Sequence, residues 1–257
     1  MPIEPMPIDD ATREQLRSAS TATIATQLFR LGLRNQFLNG LLPANAEHCR
    51  FVGEAATLRY IPMREDLDVL EAFRDPAHPQ RKAVETARPG TVVVMDCRGE
   101  TRAASVGNIL VTRLRVRGAV ALVTDGAVRD YPEIAAQPFP VFAAGRSASI
   151  GLSAHHAVDF DVPIACAGVA VFPGDVLVGD AEGVIVIPRH LATAIAQPAA
   201  EQEDLERFLL EKVAAGAPLP GTYTPSEQTL AEFGFWKQQR GCAGAPLPSS
   251  AHILHLT

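Results

Sequence analysis

The amino-acid sequence predicts an α/β fold with a central βαβ unit and a mixed sheet or barrel-like core. Two continuous apolar segments, TVVVMDC (Thr91–Cys97) and AVALVTDG (Ala119–Gly126), are each typical of a strand buried on both faces. The segment between them, GNILVTRLRVRG (Gly107–Gly118), has the length of a helix and ends at a glycine. Strand, helix and strand at this spacing indicate a parallel pair joined by a right-handed crossover.

The segments before this unit predict helices and one long strand. Residues 9–32 place apolar side chains near helical spacing between an aspartate cap and a glycine stop. Residues 50–62 are rich in strand formers and end at a proline. Residues 66–87 are expected to form two short helical pieces, because Pro76 and Pro79 interrupt the pattern.

The segments after the unit predict short strands and a long helix. A short strand is expected at 140–145, and residues 162–188 combine strand formers with glycine-containing turns, which favours an antiparallel or barrel-like portion. A helix is expected at 190–215. We therefore predict a single α/β domain over residues 1–216 and a Pro/Gly-rich C-terminal extension over residues 217–257.

The composition excludes several classes of protein. The 257 residues have a net charge of −6, which argues against direct nucleic-acid binding. No apolar segment approaches the length of a membrane span, and the acidic, Pro-rich N-terminus does not resemble a signal peptide. The four cysteines form no CxxC pair, so a disulfide framework or zinc site is not expected and a cytoplasmic location is the default.

Two loops follow the buried strands, where parallel α/β sheets form their ligand sites. The first begins at Gly107 and Asn108, immediately before the predicted helix. Asparagine is a favourable helix cap, and the backbone N–H groups of Ile109 and Leu110 would then suit a carboxylate or a phosphate. The alternative interpretation is a simple helix cap that binds nothing.

The second loop, Asp125–Asp130, ends in Arg129 and Asp130. Arginine offers a planar fork for a carboxylate or an oxyanion, and aspartate offers a hard oxygen ligand for Mg²⁺. The alternative is a surface ion pair at the start of the next helix. Taken together, the two loops could converge on a metal-chelated 2-oxo acid, with Arg129 stabilising the enolate.

Three motifs resemble the RraA-like superfamily, which includes 4-hydroxy-4-methyl-2-oxoglutarate aldolases and RraA, a regulator of RNase E activity. They are GNIL (Gly107–Leu110), TDGAVRD (Thr124–Asp130) and PGDVLVGDAEGVIVIP (Pro173–Pro188), within a resemblance that covers about Ser20–Gly216. The resemblance implies an αββα layered fold like the phosphohistidine swivelling domain. It also implies assembly as a homotrimer or a hexamer.

The resemblance further implies roles for individual residues. Asp130 would hold a divalent metal, Mg²⁺ or Mn²⁺, and Arg129 would contact the pyruvyl group. Substrate contacts, partly through backbone amides, would come from Gly107, Asn108, Ile109 and Leu110.

One position departs from the pattern of the aldolases. The second residue of the first loop is often acidic in them and interacts with metal-bound water, but here it is Asn108. Asparagine cannot accept a proton as a carboxylate does, although it can orient water. A replacement acid could be Glu100, or Glu203 or Glu206 of a neighbouring subunit.

The expected function is a Mg²⁺- or Mn²⁺-dependent lyase. It would cleave a 4-hydroxy-2-oxo acid, or decarboxylate oxaloacetate, through a pyruvate enolate, with Arg129, Asp130 and Asn108 as the catalytic residues. The alternative is a non-catalytic regulator that inhibits ribonuclease E by protein–protein contact. A third interpretation is a sugar-acid pathway enzyme that uses the same enolate chemistry on a longer substrate.

Overall fold

The structure is a computed structural model that describes residues 7–240 of the chain. The chain divides into two compact units, Met1–Ala199 and Ala200–Thr257, and each is described by itself. The predicted boundary after residue 216 stays a prediction, and the part of the predicted extension beyond residue 240 lies outside the described residues.

The first unit is built on strands. They are β1 (Leu42–Pro43), β2 (Phe51–Pro62), β3 (Thr91–Asp96), β4 (Ala104–Val106), β5 (Ala121–Val128), β6 (Val141–Arg146), β7 (His155–Phe160), β8 (Ile164–Cys166), β9 (Val169–Val171), β10 (Val176–Gly179) and β11 (Val184–Ile187). The helices of the described chain are α1 (Asp10–Ser18), α2 (Thr21–Arg30), α3 (Pro79–Thr86), α4 (Asn108–Val116), α5 (Tyr131–Ala135), α6 (Ala192–Ala214) and α7 (Glu227–Gln239). Within residues 7–240, none of the helices combines the length and the apolarity that crossing a bilayer requires.

A nine-stranded mixed sheet forms the centre of the first unit and confirms the predicted α/β fold. Its order is β1-β6-β5-β3-β2-β10-β11, with β4 paired to β5 and β7 paired to β2. Strands β6, β5, β3 and β2 run parallel to one another. Strand β1 pairs antiparallel with β6, β7 and β10 pair antiparallel with β2, and β11 pairs antiparallel with β10. The predicted βαβ unit is confirmed, because β3 and β5 are adjacent and parallel and α4 lies between them in the chain.

The core explains why the two central strands are apolar along their whole length. Every residue of β3 and β5 is buried. In β3, Val93 and Met95 belong to a cluster that also contains Val111 and Leu114 of α4, while Val92 belongs to a second cluster on the opposite face. A strand covered on both faces needs apolar side chains at successive positions. The prediction that these two strands are buried on both faces is therefore confirmed.

Two elements differ from the prediction. The helix expected over residues 9–32 is two helices, because Ser20 adopts an extended conformation and its side chain accepts the Thr23 N–H at the start of α2. Strand β5 continues to Val128, beyond the predicted end at Gly126, so Asp125 lies inside a buried strand and not in a loop.

The remaining predicted elements of the first unit are confirmed. Strand β2 occupies the predicted segment, and the segment with two prolines forms a short 3₁₀ turn followed by α3. The downstream strands pair antiparallel, β8 with β9 and β10 with β11, as the glycine-containing turns indicate.

The second unit, over its described residues 200–240, contains the end of α6 and all of α7. Phe208 and Leu209 of α6 are buried against Phe233 of α7, with Trp236 beside them. The Trp236 indole N–H donates to a Glu211 carboxylate oxygen at 2.8 Å. The long helix expected at residues 190–215 is confirmed by α6, and α7 lies within the predicted extension.

Candidate active site

Pairing between β4 and β5 brings the two predicted loops together. Val106, the last residue of β4, is registered against Val128, the last residue of β5. Gly107 and Arg129 follow these residues, and the Arg129 N–H donates to the Val106 carbonyl at 3.1 Å. The start of α4 and the Arg-Asp pair are therefore neighbours because two short strands end side by side. Strand β4 was not predicted from the sequence.

Asp130 is held at the start of α4 in an unusual backbone conformation. Its φ of 55° and ψ of 40° are left-handed, which aspartate tolerates better than most residues. One carboxylate oxygen accepts the Asn108 N–H at 3.1 Å, and the other lies 3.5 Å from Arg129 Nε. The side chains of Arg129 and Asp130 are 42% and 40% exposed, so both can still reach a ligand.

Gly107 leaves the space that this arrangement occupies. A Cβ atom added to it would lie 2.7 Å from Asp130 Oδ2 and 3.0 Å from Arg129 Cγ. Its φ of −124° is open to any residue, so the requirement for glycine is steric and not conformational. The carboxylate of Asp130 fills the volume that a side chain would take.

The first turn of α4 differs in detail from the prediction. Gly107 is the N-cap and has no side chain to cap the helix, so the expectation that Asn108 caps it is wrong. The prediction that the Leu110 N–H is free to bind an anion is wrong, because this group donates to the Gly107 carbonyl at 3.1 Å. The Ile109 N–H has no acceptor among residues 7–240, and its side chain is 82% exposed. An anion at this helix N-terminus would therefore meet the Ile109 amide.

The Asn108 side chain is held by a residue that the sequence analysis missed. Gln137 Nε2 donates to Asn108 Oδ1 in a short hydrogen bond and to Thr112 Oγ1 at 3.1 Å. Gln137 follows α5, far from Asn108 in the chain, and no sequence pattern links the two. The contact arises because α5 packs close to α4.

A second guanidinium lies at the same sheet edge and was also missed. Arg146, the last residue of β6, is registered against Val128. Its guanidinium carbon lies 3.4 Å from the centroid of the Tyr131 ring, and the Tyr131 hydroxyl donates to the Ala44 carbonyl at 2.9 Å. The cation–π contact holds Arg146 beside the residue that follows Asp130.

Of the three alternative acids, only Glu100 belongs to the first unit. Glu100 lines an open polar cavity of about 620 Å³ with Arg98, Thr101 and Arg102, a set that does not include the Arg-Asp pair. Its carboxylate accepts from the Arg102 side chain at 2.7 Å and also from the Arg102 N–H, and these bonds lower the pKa of Glu100 to about 2. Glu203 and Glu206 lie on the part of α6 that belongs to the second unit.

Asp125 differs from Asp130 although it stands in the same segment. It is 3% exposed, and its carboxylate accepts three backbone N–H groups, those of Cys97 at 2.5 Å, Gly99 at 3.0 Å and Ala167 at 3.2 Å. Burial raises the pKa of Asp125 above its ordinary value, and the three bonds oppose that rise. This side chain fixes the loops that follow β3 and β8.

The donor set fits a metal that needs few protein ligands. No group of three or more His, Cys, Asp or Glu side chains within residues 7–240 is placed to hold an ion. Asp130 offers a single half-exposed carboxylate. Mg²⁺ is usually bound through one or two carboxylates and completes its coordination shell with water and substrate oxygens. The single carboxylate of Asp130 is therefore compatible with Mg²⁺ but not with a metal that needs three or four side-chain ligands.

Comparison with known proteins identifies the family. A family model described as "RraA-like: Aldolase/RraA" matches residues 21–186. The chain belongs to the RraA-like family. A protein of Halalkalibacterium halodurans named "Putative 4-hydroxy-4-methyl-2-oxoglutarate aldolase" is 34% identical over 211 residues, which cover 78% of this chain and 90% of that protein. A Thermus thermophilus protein named 4-hydroxy-4-methyl-2-oxoglutarate aldolase is 32% identical over 143 residues, which cover 54% of this chain and 76% of that protein.

Two solved structures share the fold. The structure of Streptomyces coelicolor RraAS2, described as an unusual member of the RNase ES inhibitor RraA protein family, matches with a TM-score of 0.72 at 28% identity. It covers 79% of this chain and 98% of its own. An uncharacterized protein from Pseudomonas syringae pv. tomato matches with a TM-score of 0.75 over 88% of this chain and 99% of its own, and at 24% identity it shows the fold alone.

Proposed function

We propose that this RraA-like protein is a divalent-metal-dependent lyase that forms a pyruvate enolate from a 2-oxo acid. The observation that supports the proposal most directly is the joined position of Arg129 and Asp130 at the N-terminus of α4, with both side chains about 40% exposed. The two relatives named as aldolases support the same reaction class.

Each residue of the arrangement has a distinct part in the proposed reaction. The Ile109 N–H binds the substrate carboxylate at the positive end of α4. Arg129 donates to the 2-keto oxygen, where negative charge develops as the carbon–carbon bond breaks. Gly107 and Leu110 shape the loop, and Asn108 orients a water molecule for proton transfer.

Asp130 is the residue that would hold Mg²⁺ or Mn²⁺. Such an ion, when bound, acts as a Lewis acid that polarises the keto group and withdraws charge from the enolate. Arg146 adds a second positive charge at the same edge, which would attract a substrate with two carboxylates to a chain whose net charge is −6.

A test of the proposal measures pyruvate release from oxaloacetate and from a panel of 4-hydroxy-2-oxo acids. Release with added Mg²⁺, and its loss with EDTA, is the expected result. Arg129→Lys should reduce kcat/KM by on the order of 100-fold, because lysine cannot present the planar fork. Arg64→Lys, in an exposed ion pair with Asp66, is the matched control and should have no effect. Turnover that is independent of metal and of Arg129 would overturn the proposal.

A second candidate function is a non-catalytic regulator that inhibits ribonuclease E by protein–protein contact. The structural likeness to RraAS2 at 28% identity favours it. A pull-down with a ribonuclease E scaffold domain, run beside the pyruvate assay, separates the two functions. Binding without pyruvate release supports the regulator, and pyruvate release without binding supports the lyase.

The assembly and the location are part of the same proposal. We propose a cytoplasmic homotrimer or hexamer, in which a neighbouring subunit could bring Glu203 or Glu206 to the site. Light scattering on the purified protein measures the number of subunits, and a monomeric mass would contradict the proposed assembly.

A further inference from the structure

We propose that Ser105 and Thr124 are positioning residues of the candidate active site, because their paired hydroxyl groups fix the register between its two loops. The two hydroxyl oxygens lie 3.0 Å apart, and both side chains are buried. The inference rests on the proposed lyase function and deepens it, since it names groups that act on the reaction through Gly107 and Asp130 and not by contact with the substrate.

The first observation is an irregularity in β4. Ala104 is registered against Ala127 and Val106 against Val128, so three residues of β4 face two residues of β5. Ser105 is therefore the extra residue. A residue inserted in this way is left out of the ladder of backbone hydrogen bonds and redirects the strand beyond it.

The irregularity decides which parts of the two loops meet. A regular β4 would place Gly107, and not Asn108, in line with Asp130, because a slip of one residue changes every pairing that follows. In the structure the Asn108 N–H donates to the Asp130 carboxylate. The Arg129 N–H donates to the Val106 carbonyl. The extra residue in β4 is therefore what brings the start of α4 to Asp130.

Strand β5 contains a second irregularity beside the first. The step from Thr124 to Ala127 in β5 faces a shorter step in β6, so β5 has one extra residue between them. The Thr124 hydroxyl oxygen accepts the Gly126 N–H at 3.0 Å. This bond satisfies a buried backbone group within the irregular segment.

The two hydroxyl groups join the irregularities through one chain of hydrogen bonds. Ser105 Oγ donates to the Ala127 carbonyl at 3.2 Å, so the Thr124 hydroxyl is left to donate to Ser105 Oγ. The Ser105 carbonyl accepts a hydrogen bond from Gln80 Nε2 of α3 at 2.7 Å. The extra residue is thus held through its side chain and its backbone, and a buried polar network with all its members paired specifies one backbone arrangement.

The experiment compares Ser105→Ala with a control that loses an equivalent bond elsewhere. Thr57→Val is matched, because the buried Thr57 hydroxyl donates to the Val162 carbonyl at 2.6 Å and lies outside the candidate site. Both variants should lower the melting temperature by a similar amount, about 2 to 4 °C. Only Ser105→Ala should lower kcat for pyruvate release from oxaloacetate with Mg²⁺, by on the order of 10-fold, as the loss of a supporting hydrogen bond does at other sites.

Amide hydrogen exchange measures the register without any turnover. The Asn108 and Arg129 amides donate within the candidate site, and in Ser105→Ala their exchange should become faster by on the order of 10-fold. The same amides should exchange at the wild-type rate in Thr57→Val.

Two variants at the other hydroxyl separate the hydrogen bond from packing. Thr124→Val keeps the shape of the side chain without the hydroxyl, and it should lower kcat and accelerate exchange as Ser105→Ala does. Thr124→Ser keeps the hydroxyl without the methyl group, so it should be less stable than the wild type but retain its kcat. These two variants decide the question if Ser105→Ala does not fold.

The outcomes separate the inference from the lyase function. Unchanged exchange at Asn108 and Arg129 in Ser105→Ala and Thr124→Val would overturn the inference, because the register would not depend on the hydroxyl groups. Faster exchange with a wild-type kcat, or an equal loss of kcat in Thr57→Val, would also overturn it and leave the lyase function standing. A wild-type protein that releases no pyruvate would overturn the lyase function, whereas faster exchange in the two variants would still support the assignment of the register.

Discussion

Two aspartates five positions apart in one segment, Asp125 and Asp130, have opposite environments. Asp125 is 3% exposed and accepts three backbone N–H groups, whereas Asp130 has a 40% exposed side chain that accepts one. Asp125 lies within β5, at an irregularity in the pairing of that strand with β6, and Asp130 has a left-handed backbone. Residues with a strained backbone and unused hydrogen-bonding capacity cluster at ligand-binding and catalytic sites. Buried polar residues whose hydrogen bonds are all made maintain the fold.

The two environments indicate that Asp125 contributes to stability and Asp130 to activity, although the two residues are five positions apart. The bonds of Asp125 tie together the ends of β3, β5 and β8, so its loss should act on folding. The bonds of Asp130 connect only the two loops of the candidate site, so its loss should act on chemistry. The following predictions test this division, beginning with the largest effect.

Asp130→Asn should reduce pyruvate release from oxaloacetate by on the order of 1,000-fold and leave thermal stability within about 0.5 kcal/mol of wild type. Asparagine tolerates the left-handed conformation and its carbonyl can still accept the Asn108 N–H, so the variant removes only the charge. Calorimetric titration with Mg²⁺ should show weaker binding. Asp66→Asn, at an exposed ion pair, is the control, and full activity of Asp130→Asn would reject the proposed metal site.

Gly107→Ala should lower kcat by on the order of 100-fold, because a shift of about 1 Å in a catalytic group has that effect. The new methyl group would lie 2.7 Å from Asp130 Oδ2 and force the carboxylate to move. Ile109→Ala, in the same turn on an exposed side chain, should cause a much smaller loss. Wild-type kcat in Gly107→Ala would show that the position of Asp130 has no bearing on the reaction.

The sequence predicted those parts of the molecule that depend on local pattern. The apolar segments predicted β3 and β5, and the end of β5 located Arg129, whereas Gly107 follows β4, a strand that the sequence did not predict. Contacts through space were not predictable: Gln137 reaches Asn108 only because α5 packs near α4, and Arg146 joins the edge through the β5–β6 register. Those contacts are set by tertiary packing, which no short-range pattern encodes.

Two local errors have the same origin. The helix break at Ser20 was missed because the apolar spacing continues across it, although serine is a favourable cap. Asp125 belongs both to the predicted strand, which ends at Gly126, and to the predicted loop. The structure places it within β5, where three N–H donors from distant segments satisfy its carboxylate. In both cases hydrogen bonding outweighed the composition of the segment.

Asp125→Asn should destabilise the fold by about 3 kcal/mol, because an amide cannot accept all three bonds and leaves a buried N–H without an acceptor. Urea unfolding followed by circular dichroism measures the loss. The activity of the remaining folded molecules should stay near that of wild type, which is the reverse of the Asp130→Asn result. A variant as stable as wild type but inactive would remove the distinction between the two aspartates.

Low pH should lower the stability of the fold through His155, which is buried like Asp125. His155 is 3% exposed, its Nε2 donates to the Ala103 carbonyl at 3.0 Å, and its Nδ1 has no partner within residues 7–240. Burial lowers the pKa of His155 below its ordinary value of 6.5, and burial also lowers that of His78. The folded state therefore binds fewer protons than the unfolded state, so this contribution to stability is complete above pH 6.5 and is lost as the pH falls towards the lowered values.

The expected measurement is a free energy of unfolding that decreases from pH 7.5 to pH 5. His155→Gln retains a side-chain donor for the Ala103 carbonyl but cannot be protonated, so its unfolding free energy should decrease less steeply over the same range. His48→Gln is the matched control, because that histidine is exposed on the first unit and should leave the slope unchanged. Equal slopes in wild type and His155→Gln would show that His155 is already protonated, or solvated, in the folded protein, and that its burial contributes nothing to the acid sensitivity of the fold.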